Sequence, residues 1–418
     1  MRGGRRAATA CALATVALTM SACATRQQFG VPTKVDPVAG NCDTSRNVEV
    51  GATLDLSGPG GAQGHEYLTG LRLAMKTVNG SQGVLKNHTC LELLYKDDKG
   101  DPRTADRAVL DLVNDEVVKL LVGPEQSQAI RTAGADLGLA GVPTTDVSSL
   151  DDIRQPKPSW PMMFPTGPAQ STVSRVIAGY ARSQGWSSVA VAAVNDPAGQ
   201  QGLADLKTAL GGEGIAVAAS IRVPTTGGDA SSALEGMKAV SPSALVFTGD
   251  TAEAAGAVLK ARAAAGWDVP LIGGSQLSDA VALSDVAGGV PHGVTVVVPS
   301  AVVLYAGQSQ PQDPSMVHFL SALGQEVGSL TGSVVSYAEA YDGLAMLAYA
   351  TNSANSVNPG NVRTFLENAN YQGLLASYSY TSSRHGGVVA GQLTTAPLDS
   401  LPGGLFHTNT PAPAATSP

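Results

Sequence analysis

The chain has 418 residues, of which 43% are hydrophobic, and 26 basic residues stand against 34 acidic ones. This acidic balance favours solubility and argues against nucleic acid or anionic lipid as binding partners. The apolar content is enough for one large core or two moderate ones, and we expect two.

The N-terminal residues have the order of an export signal. A basic segment with three arginines precedes an apolar run that is too short to span a bilayer. Ser21 and Ala22 then lead to Cys23, an order similar to a bacterial lipobox, although Met20 stands where Leu is usual. We therefore expect residues 1–22 to be a lipoprotein signal peptide and Cys23 to carry the lipid outside the membrane. An ordinary secretory signal with an incidental cysteine is the alternative.

Two cysteines remain for the mature folded part, Cys42 and Cys90. An oxidising compartment favours a disulfide between them. Cys42 precedes a predicted strand at 48–54, and Cys90 opens the next, at 91–97. If these strands are parallel neighbours, both cysteines lie at the edge where strands begin, opposite the edge where ligands bind, so the disulfide is expected to be structural. No His or carboxylate cluster accompanies the pair, and no metal site is predicted.

The two ends of the mature chain differ in composition from its middle. Residues 23–45 are largely polar and contain Pro32 and Pro37, so we expect a lipidated tether. Residues 397–418 finish in Pro, Ala, Thr and Ser alone, which predicts a flexible tail.

Between these ends, short apolar strands alternate with helical stretches, a pattern typical of doubly wound parallel sheets. A first series predicts strands 48–54, 91–97, 118–122 and one ending at Thr145, with helices 67–79, 105–114 and 127–137. After a crossing segment, a second series predicts helices 171–184, 200–212, 229–238 and 252–265, with strands 188–194, 215–223, 244–248 and 269–273. Beyond 294–298 come helices near 314–328, 336–350 and 359–368, then a β-rich stretch at 374–393. Two similar series predict two α/β lobes.

Short motifs recur at the predicted strand ends and helix starts: Leu56-Ser57-Gly58-Pro59, Gly83-Val84-Leu85, Asp97-Asp98-Lys99-Gly100-Asp101-Pro102, Val122-Gly123-Pro124, Gly141-Val142-Pro143, Gly185-Trp186-Ser187-Ser188-Val189 and Tyr341-Asp342-Gly343. Their order resembles the type I periplasmic solute-binding proteins of the branched-chain amino acid and amide class, which feed ATP-driven importers. The resemblance covers roughly residues 46–395, although each motif alone is weak.

This resemblance implies two doubly wound parallel-sheet lobes joined by three crossings, with the ligand held in the cleft between them. One lobe would comprise 46–166 plus 300–370, and the other 167–299 plus 371–396. It also implies a lipid-anchored receptor that captures a small polar ligand, such as an amino acid or amide, and delivers it to an ABC permease. No cofactor and no catalytic residue is expected.

The ligand should contact loops at the carboxyl ends of the strands, where helix N-termini present free backbone N–H groups. The candidate ligand-binding residues on these loops are Ser57, Gln126, Ser127, Ser148, Ser149, Asp196, Asp250 and Ser275. Ser127 is also a natural N-cap for the helix that follows it. Ser148 and Ser149 match positions where the family contacts its ligand, and a plain polar turn explains them equally well.

Two positions depart from the family pattern. Ala198 stands where amino-acid binders usually have an aromatic residue, and Ser275 stands where an acidic residue pairs with the ligand ammonium. Because a buried ammonium without a partner is costly, either Asp250 or Asp196 replaces the acid, or the ligand has no α-ammonium. An exposed N-cap for the helix beginning near Ala252 is the structural alternative for Asp250.

Other classes of function find less support in the sequence. The six histidines are scattered without metal spacing, and no nucleophile elbow occurs. The glycine-rich loop 58–64 does not fit a dinucleotide fingerprint, because its third glycine falls one position late. A lipid-anchored sensor or interaction module of the same fold, with a drifted or lost transport site, is the stronger rival.

Overall fold

The computed structural model describes residues 32–35, 40–156, 160–284, 286, 290–399 and 401–412. The predicted signal peptide and Cys23 lie outside these residues. No helix within the described ranges is both long and apolar enough to cross a membrane.

The first series of elements forms a five-stranded sheet. Its strands are β1 (Thr33–Val35), β2 (Asp43–Leu54), β3 (Thr89–Asp97), β4 (Leu120–Val122) and β5 (Thr144–Thr145). Its helices are α1 (Gly61–Gly80), α2 (Pro102–Asn114) and α3 (Ser127–Ala140). The spatial order is β1-β3-β2-β4-β5, with β1 antiparallel to β3 and the other pairs parallel. The helices cover the sheet, so β2 is buried from Val50 to Leu54, as the continuous apolar run predicts.

The second series forms five strands of a six-stranded sheet. Its elements are α4 (Gln170–Ser183), β6 (Ser188–Val194), α5 (Pro197–Gly212), β7 (Ala216–Val223), α6 (Ser231–Lys238), β8 (Ala244–Thr248), α7 (Ala252–Ala264), β9 (Leu271–Gly273), α8 (Ala280–Ser284) and β10 (Val294–Pro299). Parallel pairing gives the order β10-β9-β8-β6-β7.

The remaining elements follow the second series, and several pack against the first sheet or pair with the second. They are β11 (Val303–Leu304), α9 (Pro314–Val327), α10 (Val335–Ala354), α11 (Pro359–Leu366), β12 (Asn370–Gln372), β13 (Ser377–Thr381), β14 (Arg384–Gly387), β15 (Leu393–Pro397) and β16 (Phe406–His407). Helix α10 packs along α1 beside the first sheet, and β15 joins the second sheet antiparallel to β10. The two-lobed α/β architecture expected from the sequence is therefore present.

The segment between β12 and β14 differs from its predicted place in the second lobe. It forms a separate three-stranded sheet that contacts elements assigned to the first. The Tyr378 hydroxyl donates to Asp342 Oδ2 of α10 at 2.8 Å, and the Tyr380 hydroxyl donates to the Pro165 carbonyl at 3.0 Å. Of the predicted range 371–396, β15 is the strand that pairs within the second sheet.

The predicted tether and tail are also more ordered than their composition suggests. Within 23–45, β1 pairs with β3 and β2 already begins at Asp43. Within 397–418, β16 pairs with β11 in parallel, and the buried side chains of Leu398, Leu405 and Phe406 hold the segment to the second lobe. In the tail, these apolar residues outweigh the polar residues around them. Residues 413–418 lie outside the described part.

Cys42 and Cys90 form the predicted disulfide. Strands β2 and β3 are parallel neighbours, and the bridge lies where both begin. It is therefore at the opposite edge of the sheet from the loops that follow the strands, which agrees with a structural role.

Candidate functional site

A cavity of about 30 Å³ lies where the strands β8, β9 and β10 end. The second lobe contributes Thr248, Ser275 and Gln276, together with the apolar side chains of Pro168, Val173, Phe247 and Val297. Ser149, from the loop after β5, and Glu339 of α10 face them. The cavity is thus enclosed by both series of elements, at the strand edge where α/β proteins bind ligands. Because this volume is small, a ligand larger than water can enter only if the elements around the cavity move apart.

A hydrogen bond between Ser149 and Asp250 connects the two series beside this cavity. The Ser149 hydroxyl donates to Asp250 Oδ1 at 2.7 Å, while Asp250 Oδ2 is buried without a hydrogen-bond partner. Burial, and secondly the carboxylate of Asp196, raise the pKa of Asp250 to about 7. Asp250 therefore has one oxygen bound across the cleft and one buried oxygen without a partner, just behind the residues that line the cavity.

Asp250 is not an exposed N-cap of α7, which was the alternative to a ligand-binding role. The N-cap of α7 is Thr251, whose hydroxyl is buried and also lacks a partner. The backbone before Asp250 turns sharply at Gly249, which has φ of 145° and would meet the Val194 side chain if it had a Cβ. This turn places Asp250 next to the first lobe.

Glu339 is the most informative residue that the sequence did not single out. It is 6% exposed, it lines the cavity, and its carboxylate has no hydrogen-bond partner among the described residues. Burial raises its pKa well above the usual value, and the carboxylates of Asp279 and Asp250 add to the shift. The one signal in the sequence is that Glu339 stands among the apolar residues of α10. A buried glutamate is rare unless it has a partner, so such a position indicates a functional contact.

A second group of polar side chains lies between α1 and the loop after β9. Gln63 Nε2 donates to the Tyr67 hydroxyl at 3.1 Å and to Asp279 Oδ2 at 3.3 Å. The Ser336 hydroxyl of α10 donates to Asp279 Oδ1 at 2.9 Å. Nearby, Glu66 Oε2 is buried without a partner, and burial followed by repulsion from Asp279 raises the pKa of Glu66 to about 9. Carboxylates from both lobes therefore face each other here.

The glycine-rich loop after β2 is organised by Asp55 rather than by Ser57. Asp55 accepts hydrogen bonds from Gly58 N and Gly60 N, both at 2.7 Å, and from Gln126 Nε2 at 3.1 Å. Ser57 is exposed and donates to Asp97 Oδ2 at 2.5 Å. Ser57 and Gln126 thus hold this loop, and neither lines the described cavity.

Ser127 and Ser148 have different environments from those expected. Ser127 is the first residue of α3, and its N-cap is Gln126, so Ser127 does not cap the helix. Its hydroxyl lowers the pKa of nearby Asp250, yet the buried oxygen meets no partner at hydrogen-bonding distance. Ser148 is buried, and its hydroxyl accepts from Leu150 N at 3.2 Å, so it mainly shapes the loop that carries Ser149.

The remaining predicted positions lie on the second lobe. Asp196 caps α5 by accepting from Gly199 N at 2.6 Å. Ala198, in the first turn of this helix, is fully buried, and Ser275 lines the cavity. The structure therefore places Ser149 and Ser275 at the cavity, with Asp250 bonded to Ser149 beside it and Asp196 close to Asp250.

The raised pKa values predict how stability depends on pH. Asp146, Asp250, Glu253 and Asp279 each have a pKa of about 7, against about 4 in an unfolded chain, because burial disfavours their charged forms. Their stabilising contribution is complete below pH 4 and is lost as the pH rises through 7. We expect the melting temperature of the ligand-free protein to fall by several degrees between pH 5 and pH 8. Differential scanning fluorimetry over this range, with Asp250→Asn showing a smaller slope, tests it; a melting temperature that rises with pH would contradict it.

Comparisons with known proteins agree with this two-lobed architecture. A crystal structure of a periplasmic binding protein type 1 from Bordetella pertussis superposes with a TM-score of 0.74 at 18% identity, over 84% of this chain and 96% of that one. The substrate-binding protein LivJ from Streptococcus pneumoniae, in complex with isoleucine, gives 0.69 at 19%, over 84% and 99%. An ABC transporter solute-binding protein from Rhodopseudomonas palustris, in complex with benzoate, gives 0.73 at 18%, over 86% and 94%.

Two lobes that close on a cavity at their strand ends define a solute-binding receptor. A family profile described as periplasmic binding protein matches residues 47–399. The chain therefore belongs to the type I periplasmic binding proteins of the branched-chain amino acid class, a family of receptors that are generally not enzymes. Among curated protein sequences, none matches this chain.

Proposed function

We propose that the protein is an extracytoplasmic, lipid-anchored receptor that captures a small polar ligand between its lobes and delivers it to an ABC importer. One observation carries the proposal: beside the cavity, Ser149 of one series and Asp250 of the other are already in hydrogen-bonding contact, while Asp250 Oδ2 stays unpaired. A ligand that offers a donor to this oxygen would hold the lobes together. The structural neighbours that bind isoleucine and benzoate support a small solute as the cargo.

The proposed role involves no catalysis and no cofactor. The eight residues predicted from the sequence divide between two tasks in this proposal. Ser149, Asp250, Ser275 and Ser127 contact the ligand or the groups beside it. Ser57, Gln126, Ser148 and Asp196 fix the loops that carry them.

A sensor or interaction module of the same fold is the second candidate. The small cavity, together with Ala198 at the position where amino-acid binders usually have an aromatic residue, favours it. The two roles differ in transport. Deleting the gene and measuring uptake of a radiolabelled ligand separates them, because an importer receptor is needed for uptake, whereas a sensor changes a response and leaves uptake intact.

Anchoring through Cys23 gives a separate prediction. Cys23→Ala removes the acceptor for the lipid, so we expect the variant in the soluble fraction, while the wild type stays with the membranes. Cell fractionation with immunoblotting measures this, and Cys42→Ser, which leaves Cys23 intact, is the matched control. A Cys23→Ala variant that remains membrane-bound after a salt wash would contradict the lipoprotein assignment.

A further inference from the structure

Glu339 is the one charged residue among the described residues that line the cavity. It is more than nine-tenths buried, and no group in the described chain donates a hydrogen bond to its carboxylate. An unpaired buried carboxylate costs several kcal/mol, so a fold keeps one in a cleft only with a compensating partner or a protonated form.

Further carboxylates surround Glu339 on the elements packed against it. Asp279 follows β9, Asp250 follows β8, and Asp342 lies one turn further along α10. Asp342 is satisfied by its own donors, since it accepts from Leu374 N, Leu375 N and the Tyr378 hydroxyl. By contrast, Asp250 Oδ2 and Glu66 Oε2, which lies near Asp279, are buried without a hydrogen-bond partner. No lysine or arginine of the described ranges forms an ion pair with any of these five carboxylates.

The cation that does act on Glu339 is Arg154, and its donors are already engaged. Arg154 Nε donates to the Leu150 carbonyl at 3.0 Å, and Nη1 donates to the Gly386 carbonyl at 3.2 Å. Nη2 donates to the carbonyls of Ser148 and Gly167 at 2.8 and 3.0 Å. Four of the five N–H groups of the guanidinium thus hold loops together. Arg154 lowers the pKa of Glu339 from a distance and does not pair with it.

We infer that the ligand is a small organic amine of net positive charge whose ammonium contacts Glu339 when the cleft widens to admit it, with the neighbouring Asp250 as a second carboxylate. The inference rests on the proposed solute-binding function and names the ligand's chemical class. An aliphatic amine keeps its proton near pH 7, so it supplies a cation, which the described lining of the cavity lacks. The hydroxyl and amide groups of Ser149, Thr248 and Gln276 complete the polar contacts, and Val173, Phe247 and Val297 provide an apolar wall for a short carbon chain.

The same site disfavours an anion. A carboxylate ligand supplies no cation that would ionise Glu339, and it is repelled by Asp250 whenever that carboxylate is charged. A neutral ligand of the same shape would leave both carboxylates unpaired. We therefore expect ligands of equal size to bind with affinities that depend on their charge, and the test compares such ligands.

The test is isothermal titration calorimetry on the full mature protein with probes that share a four-carbon skeleton and differ in charge. The amines are n-butylamine and 1,4-diaminobutane, and the counterparts are butyramide, butyrate and succinate. We expect micromolar binding of an amine and at least ~30-fold weaker binding of each counterpart. Glu339→Gln should weaken amine binding by ~30-fold or more. Glu326→Gln, on the exposed face of α9, is the matched control and should leave binding unchanged.

A second readout keeps the test informative if Glu339→Gln alters stability. Amine binding should ionise Glu339 and release protons, which titrations in buffers of different ionisation enthalpy detect. The release should be smaller in Glu339→Gln than in the wild type. A melting curve confirms that the variant is folded.

The outcomes separate the inference from the function on which it rests. If a neutral or anionic probe binds and amines do not, or if Glu339→Gln leaves amine affinity unchanged, the inference is overturned and the receptor function stands. Binding of calcium chloride that is as sensitive to Glu339→Gln would also overturn it, in favour of a metal cation. If no probe of any charge binds, the result counts against both.

Discussion

Asp250→Asn should weaken binding of the cleft ligand by on the order of 2 to 5 kcal/mol, because the variant loses a desolvated charge that the ligand would otherwise meet. The asparagine can still accept the 2.7 Å hydrogen bond from Ser149, so the contact between the lobes survives and the change is confined to charge. Calorimetry on the wild type and the variant, with the compound that binds the wild type most tightly, measures the difference.

Asp196→Asn is the matched control for this substitution. Asp196 is also a buried acid of the second lobe, but it accepts from Gly199 N as the N-cap of α5. Asparagine caps helices about as well as aspartate, so we expect little change in stability or affinity. Equal loss of affinity in both variants would show that Asp250 has no specific contact with the ligand.

The second large effect is on stability. Removing the Cys42–Cys90 disulfide opens a loop with a sequence separation of 48 residues, and chain-entropy estimates give roughly 4 kcal/mol for its closure. We therefore expect the Cys42→Ser, Cys90→Ser double variant to melt several degrees below the wild type. Ligand affinity should not change, because the bridge lies where β2 and β3 begin and the cavity lies at the ends of other strands.

Reductant provides the control for the disulfide prediction. It should lower the melting temperature of the wild type to that of the double variant and leave the double variant unchanged. A ligand affinity that falls on reduction would mean that the bridge influences the cleft, contrary to its position.

Some parts of the fold could be predicted because short local stretches of sequence determine them. The strands β6 and β8 have the bounds read from the sequence, since each is a short, largely apolar run with polar residues or glycine on both sides. The disulfide followed from the number of cysteines and their compartment. Helix starts were placed late, as at α1 and α5, because the glycine, proline and polar residues of a first turn resemble a loop in sequence.

The rest depended on contacts distant in sequence. β16 exists because Phe406 finds a buried place beside β11, and a two-residue strand has no pattern of its own. The three-stranded sheet goes to the first lobe because Asp342 accepts the Tyr378 hydroxyl across 36 residues. For the site, the sequence located Asp250 and Ser275 at strand ends but not Glu339, whose surroundings in α10 resemble an ordinary core helix.

The central claim is that this cavity binds a small solute. The most direct measurement is a thermal-shift screen of small polar compounds of every charge class, at about 1 mM, on the mature protein. Ser275→Trp, whose large side chain obstructs the cavity, and Ser183→Trp, at an exposed position of α4, are measured in parallel. We predict at least one compound that raises the melting temperature of the wild type and of Ser183→Trp by several degrees, and that has no effect on folded Ser275→Trp. A screen in which nothing shifts the wild type, or in which Ser275→Trp responds equally, would contradict the account.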